Sequence, residues 1–372
     1  MGAGLRSALA RAALVLGGVV VALLVGEIAL RLGGVEPARF AHLRSLENPD
    51  KTLAVDAYPS DPWGESDLDL RDPAVRAPLE AAGLGDLARV ARRTPFGVGF
   101  RFDAGRCRNP PVGPRVPGVP RVLVLGDSFT EGQGVREAHT FPRRLEQQLR
   151  AEGTPVEVVN CGQRGRDFPE IFADFQRHQA LAPDLVLYAM VLNDAVQSPA
   201  FRARQTFLND WILDRRRMLG DDDPGGLSFW QSRLSLFLAD RLETYRVGQA
   251  TTRWYLDMYG ADNREGWDAT VAFLRAMDAA TRARGGRFLV ALLPLLVGIE
   301  GRYPFAAPAA EIRRACEANG VAFHDVLPAV QGRTSASLWV HDVDHHPNAA
   351  AHALFARDLA PVVTGALGAR RP

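Results

Sequence analysis

From residue 121 onward the chain alternates short, unbroken apolar runs with longer stretches whose apolar residues recur at helical spacing. Val122, Leu123, Val124 and Leu125 make the first run, and similar runs start at Val156, at Leu185, over 287–293 and over 321–324. Each has strand length and reads as a strand buried on both faces. Between them, helical periodicity marks 141–152 behind Thr140 as N-cap, a stretch from Phe168 with Asp167 and Glu170 in capping-box spacing, 267–284 and 309–319. A last helix is expected over 349–359, with Asn348 as its cap. This alternation predicts an α/β domain with a parallel sheet and helices on both faces. In such folds reactive groups gather at the carboxyl ends of the strands.

The N-terminus follows a different rule. Arg6 and Arg11 precede an apolar run over 12–26, and beyond Glu27 the apolar character resumes through Leu30 before Arg31. As a helix, 12–30 spans roughly 28 Å, enough for the hydrocarbon core of a bilayer. Glu27 then lies near one end, where a carboxylate can reach the interface. The leading arginines predict a cytoplasmic N-terminus and an extracytoplasmic main domain. A cleaved signal peptide is the competing reading, although no Ala-x-Ala site follows. The first cysteine is Cys107, too distant to be a lipid-modified residue after the run. The expected organisation is a cytoplasmic stub and membrane anchor over 1–32, a tether and lead-in over 33–118, and a catalytic domain over 119–372. The tether is rich in proline, glycine and charge, with a short helical piece over 71–93 and an edge strand over 97–102. A helical insertion over 195–266 carries Trp211, Trp230, Trp254 and Tyr255. These aromatics suit either a core or a lid beside the strand ends, and the Arg215–217 and Asp221–223 runs read as solvated loop.

Composition narrows the possibilities further. With 372 residues, 47% of them hydrophobic, the chain can bury one large core. Forty-four basic and forty-three acidic residues leave a net charge of +1, which gives no support to nucleic-acid binding. Cys107, Cys161 and Cys316 allow one bridge and one free thiol, with the pairing open.

Four segments carry candidate chemistry. The first strand delivers Gly126-Asp127-Ser128-Phe129-Thr130 into a turn that contains Gly132 and Gly134. Ser128 is a candidate nucleophile, and the alternative is that Asp127, Ser128 and Thr130 merely cap a helix. Asn160-Cys161-Gly162 ends the second strand, where a glycine can offer its N–H to an oxyanion or simply make a turn. Cys161 itself is a weak alternative nucleophile. Asn193-Asp194 ends the third strand, and the Asn193 amide can serve the same oxyanion or start a turn. Near the C-terminus, Trp339-Val340-His341-Asp342-Val343-Asp344-His345-His346-Pro347 precedes the last helix, so its histidines are expected in a loop. A histidine flanked by aspartates suits a general base held by a carboxylate. Together with His352 the cluster also offers metal ligands, but without a recognisable spacing.

In chain order these blocks resemble the four motifs of the SGNH, or GDSL-like, hydrolases, from Arg121 to the C-terminal helix. The resemblance implies a three-layer α/β/α fold with a mainly parallel, flavodoxin-like central sheet. It also implies Ser128 as nucleophile, His346 as base, and Gly162, Asn193 and the Ser128 N–H as oxyanion hole. Two positions depart from the usual pattern. Val191 stands where Gly-x-Asn-Asp has glycine, and the place three before His346 is Val343 rather than aspartate. Asp344, two before His346, is the preferred orienter, as in the membrane-anchored branch of the family, with Asp342 as the alternative; His341 and His345 are expected to be loop residues. The implied activity is serine esterase chemistry on small O-acyl groups, such as acetate, of a cell-envelope or exported glycan, with no cofactor or metal. Expected partners are the acylated carbohydrate, the membrane, and the cell-envelope glycan machinery. An O-acetyltransferase with a sugar acceptor and a non-catalytic glycan-binding scaffold are the alternatives.

Overall fold

The computed structural model describes residues 3–34, 102–103, 105–205, 230–341 and 344–368. The helical piece over 71–93, the edge strand over 97–102 apart from Phe102, Trp211 and the Arg215–217 and Asp221–223 runs lie outside the described residues, as does Asp342. The chain divides into two units, 1–47 with 204–251, and 48–203 with 252–372.

The second unit is built on five parallel strands: β1 (Arg121–Gly126), β2 (Glu157–Asn160), β3 (Leu185–Met190), β4 (Arg287–Leu292) and β5 (Ala322–Asp325). They lie in the order β2-β1-β3-β4-β5, the flavodoxin-like arrangement. Every residue of β1 and β3 is buried, as expected for central strands covered by helices on both sides. Register is continuous across the middle of the sheet, with Val124 beside Asn160 of β2 and Gly126 beside Ala189 of β3.

Two helix pairs cover the sheet. Between β1 and β2 come α2 (Ser128–Glu131) and α3 (Phe141–Ala151), and α9 (Ala349–Gly368) closes the chain. Phe141, Leu145 and Leu149 recur every fourth residue on α3 and are wholly buried, and this stripe packs against α9 with its buried Phe355, Leu359 and Val363. The other pair is α4 (Phe168–His178) with α7 (Arg264–Ala283). Here Phe168 stacks on Phe273 and meets Tyr188 of β3 edge-on. The short α5 (Pro199–Arg202) and α8 (Ala306–Ala318) complete the unit with the end of α6 (Arg233–Asp257). On that end, Trp254 and Tyr255 pack on the core and touch Phe201 and Phe305.

Two local expectations change. Thr140 precedes α3, but its hydroxyl donates back to Glu137 O at 2.8 Å rather than capping the helix. The first free amide of α3, Phe141 N–H, donates instead to His352 Nδ1 of α9 at 3.0 Å. The histidine segment is not a loop: β6 (Trp339–His341) and β7 (Asp344–Pro347) form an antiparallel ribbon, so His341 and His345 lie in strands. Strand pairing satisfies backbone groups that an isolated loop would leave to water.

In the first unit, α1 (Ala3–Leu32) contains a 26-residue segment, Ser7–Leu32, long and apolar enough to cross a membrane or to act as a signal sequence. Its carboxyl end is tied to the start of α6. The Glu27 carboxylate accepts from the backbone N–H groups of Arg233 and Leu234 at 3.0 and 2.8 Å and from the Ser232 hydroxyl at 2.9 Å. Arg31 donates to Glu27 and to the Gln231 carbonyl. Glu27 thus supplies the negative cap that the first turn of α6 requires.

Candidate active site

The site forms where three adjacent strands end. Ser128 follows β1, Gly162 follows β2 and Asn193 follows β3, at the point where the connections leave β1 and β3 toward opposite faces of the sheet. Crevices of this kind are where open α/β sheets bind ligands.

Backbone crowding shapes the turn after β1. A Cβ on Gly126 would stand 2.2 Å from Thr130 Oγ1 and 2.7 Å from Ala189 O, so only glycine fits. Asp127 then caps α2, its Oδ1 accepting from Phe129 N–H at 2.9 Å. Ser128 is the first residue of that helix. The helix-cap and nucleophile readings of this motif are therefore compatible: Asp127 performs the first and leaves Ser128 placed for the second. Ser128 Oγ lies 2.8 Å from His346 Nε2. Phe129 meets the His346 ring edge-on at 5.4 Å, which limits how the imidazole can turn.

The second and third strand ends converge on the same place. An added Cβ on Gly162 would meet Thr130 Cβ at 2.5 Å and Glu131 N at 2.6 Å, so this glycine lies directly against the backbone of α2. Its N–H donates to Asn160 Oδ1 at 3.1 Å, while the Asn160 amide donates to Thr130 O at 2.9 Å. Asn160 therefore sets the distance between the Gly162 turn and α2, a role that its place at a strand end did not disclose. Asn193 donates to Asp127 Oδ2 at 3.1 Å. A carboxamide carries two N–H bonds, so one remains beyond that contact.

Val191 needs no glycine conformation, since its φ is −114° and its ψ is 158°. Asp194 supports this corner by accepting from Val191 N–H at 2.9 Å and from the Tyr188 hydroxyl at 2.8 Å. Burial, followed by the nearby Asp127 carboxylate, pushes the Asp194 carboxyl well above its usual range. Burial also raises the Asp127 carboxyl, against the opposing hydrogen bonds from Phe129 N–H and Asn193.

The structure separates the histidines of the C-terminal block. His346 is hydrogen-bonded to Ser128; His345 is exposed and stacks on Trp339 at 3.9 Å, and His352 is buried against the start of α3. Asn348 fastens the ribbon to α9. Its Oδ1 accepts from Ala350 and Ala351 N–H, and its amide donates to the carbonyls of Ser337 and Trp339. Position 344 lies two places before 346 on β7.

Cys107 and Cys161 form a disulfide, which removes Cys161 as a nucleophile, and Cys316 is a buried free thiol. Burial pushes the Cys316 thiol up to about 12, which keeps it unreactive. Cys107, Cys161 and His178 offer ligand atoms within 4.8 Å of one another, but the sulfur–sulfur bond leaves no thiolate to hold a metal ion there.

A serine beside a histidine, at the switch point of a flavodoxin-like sheet, defines a serine ester hydrolase. The chain belongs to the GDSL-like lipase/acylhydrolase family, whose profile matches residues 124–354, more than half of its length. No curated protein matches the chain. Among solved structures it is similar to a G-D-S-L family lipolytic protein from Desulfitobacterium hafniense DCB-2, at 14% identity and a TM-score of 0.36, covering 65% of this chain and 98% of that one. It is also similar to a catalytic mutant of an acetylxylan esterase from Geobacillus stearothermophilus, at 15% and 0.39, covering 68% and 96%. The psychrotrophic esterase EstA from a Pseudoalteromonas species matches at 13% and 0.40, covering 67% and 98%.

Proposed function

We propose that this chain is an extracytoplasmic, membrane-anchored serine esterase that removes small O-acyl groups, acetyl above all, from a cell-envelope or exported glycan. The 2.8 Å contact between Ser128 Oγ and His346 Nε2 carries the reading. His346 takes the hydroxyl proton as Ser128 attacks the ester carbonyl, and the C–O bond of the leaving alkoxide breaks as His346 returns that proton to it. Water, deprotonated by the same imidazole, then attacks the acyl carbon; the bond from that carbon to Ser128 Oγ breaks, His346 returns the proton to Oγ, and the carboxylic acid leaves. During both steps the oxyanion is held by the N–H groups of Ser128 and Gly162 and by the Asn193 amide. For this the Gly162 N–H turns part of its donation away from Asn160 Oδ1. Asp344, two residues before His346 in the chain, orients the imidazole.

Three observations support the finer points. Ser128 is only 9% exposed and has the Phe129 and His346 rings beside it, surroundings that suit a short acyl group. The Cys107–Cys161 disulfide belongs to an oxidising compartment. The Glu27 and Arg31 contacts to the start of α6 favour a retained α1, because cleavage after it would strip the Arg233 and Leu234 amides of their acceptor. The orientation, with the N-terminus in the cytoplasm, follows from Arg6 and Arg11.

The test uses the full-length protein in detergent. Wild type should hydrolyse 4-nitrophenyl acetate and take up a fluorophosphonate at Ser128, and Ser128→Ala should do neither. A wild type that is neither labelled nor active ends the esterase reading. If it cleaves the chromogenic ester but releases no acetate from O-acetylated envelope glycans, the substrate assignment fails alone. Intact mass of the membrane-extracted protein decides whether α1 is retained.

A further inference from the structure

Two consecutive residues of the lead-in reach both loops that flank the nucleophile. Cys107 is bonded to Cys161, the residue before Gly162. Arg108 is fully buried and donates to the carbonyls of Glu131 and Gly132 at 2.7 and 2.8 Å, and to that of Val135 at 2.7 Å. These carbonyls belong to the end of α2 and the turn behind it, the segment that Ser128 begins. One short strap therefore grips the Gly162 turn with a covalent bond and the Ser128 turn with a guanidinium fork.

The strap is itself braced. Asp103 Oδ1 accepts from the N–H groups of Gly105 and Cys107 at 2.8 and 2.9 Å, and Asp103 N–H donates to Cys107 O at 2.9 Å. Arg106 stands at a φ of +65°, a conformation uncommon outside glycine. Its carbonyl accepts from the Gln163 amide at 3.4 Å, a second tie to the Gly162 turn. Gly132 is fitted to the fork, since a Cβ there would meet Thr140 Cγ2 at 2.5 Å and Arg108 Nη1 at 3.1 Å. A buried guanidinium leaves water only when its donors find acceptors, and here three carbonyls of one turn provide them.

We propose that Cys107 and Arg108 are positioning residues of the hydrolytic site: the strap fixes the spacing between the Ser128 and Gly162 amides and so tunes the oxyanion hole. Neither residue touches the reacting atoms. The inference rests on the oxyanion assignment above. Charge on the oxygen develops only after Ser128 attacks, so a hole with wrong spacing loses transition-state stabilisation and leaves substrate binding nearly as it was. Lysine cannot replace the fork, because a single ammonium does not reproduce the planar donor set that serves all three carbonyls.

The experiment compares full-length wild type with Arg108→Ala, Arg108→Lys and the Cys107→Ser/Cys161→Ser double variant, in detergent, on 4-nitrophenyl acetate. Competent sites are counted by prolonged fluorophosphonate titration, which reaches its end point even when labelling is slow. Expected is a fall in kcat per titrated site of about tenfold to hundredfold for Arg108→Ala and the double cysteine variant, with KM changed by less than about threefold. Arg108→Lys should fall between Arg108→Ala and wild type. If fewer sites titrate while each keeps wild-type kcat, the strap only stabilises the fold and the proposal is overturned. Should Arg108→Ala not fold, the lysine and double cysteine variants decide by the same two numbers. Failure of the underlying esterase reading looks different, since wild type would then show neither turnover nor a titratable serine.

Discussion

The proposed nucleophile and the proposed base are held in place by different kinds of structure. Ser128, Gly162 and Asn193 follow three adjacent parallel strands, and their relative positions inherit the register that pairs Val124 with Asn160 and Gly126 with Ala189. His346 lies on a two-strand ribbon with a register shift between Trp339 and His341. Isolated hairpins of this size are marginal, so the ribbon depends on its fastenings: Asn348 to its own backbone and α9, and Trp339 Nε1 to Leu296 O at 2.6 Å. The strand ends hold their residues in the register of the sheet, whereas the ribbon that carries His346 is held by a few side-chain hydrogen bonds. Substitutions on the two sides should therefore fail in different ways.

The largest effect tests whether the sides act as one machine. Ser128→Ala and His346→Ala should each lower kcat by about 10⁴-fold to 10⁶-fold, and the double variant should lose no more than the worse single one, as for groups that share a step. Ester hydrolysis by the three variants decides this. Full additivity would mean that the 2.8 Å contact is not part of the reaction.

Next comes the ribbon's own carboxylate. Asp344→Asn should reduce kcat by about 10³-fold to 10⁴-fold through a misoriented imidazole, while Asp342→Asn should cost less than about tenfold. The reverse order would move the orienter to Asp342.

On the sheet side, Gly162→Ala forces a methyl to within 2.5 Å of Thr130 Cβ and 2.6 Å of Glu131 N, so the turn must retreat from α2. About 10²-fold should be lost in kcat, together with about 1–3 kcal/mol of stability from overpacking. Asn193→Ala should show a similar kcat loss while its thermal midpoint stays within a few degrees of wild type. Equal destabilisation in both variants would show that Asn193 serves packing through Asp127 rather than the oxyanion.

The sheet side was the more legible in sequence, for a physical reason. A buried parallel strand leaves an unbroken apolar run, and a close approach leaves a glycine, so Val122 to Gly126 and Asn160-Cys161-Gly162 marked their own strand ends. Asn348 was likewise visible as a cap. The ribbon left no such trace: β6 and β7 contain His, Asp and Pro, and nothing in their pattern separates strand pairing from loop. Cys107 and Arg108 were hidden because their partners are distant in sequence, a cysteine 54 residues away and three backbone carbonyls. Hydrogen bonds to carbonyls place no demand on side-chain identity at the accepting positions. Thr140 holds the N-cap position without a side-chain cap, because its hydroxyl turns back to Glu137 O and the second helical position, Pro142, has no N–H to offer it.

His352 gives the smallest effect and the sharpest separation of scaffold from chemistry. It lies six residues after the proposed base, in the helix that follows the ribbon, yet its Nδ1 is spent on the Phe141 amide and its ring is packed between Phe141 and Phe355. Burial, followed by the nearby arginine charges, lowers its pKa to about 3. Its folded value thus lies below the usual 6.5, and in that interval the unfolded chain binds the proton that the native state refuses. Its contribution to stability is therefore full above about pH 6.5 and is lost as the pH falls toward about 3, at up to about 1.4 kcal/mol per pH unit. His352→Asn keeps an acceptor for the Phe141 N–H but cannot titrate. Thermal midpoints of wild type and variant should differ most near pH 7.5 and converge toward pH 4.5, with kcat at pH 7.5 within about threefold of wild type. Parallel pH profiles would mean that the imidazole is not held neutral, and a kcat loss comparable to that of His346→Ala would place His352 with the ribbon's chemistry rather than behind it.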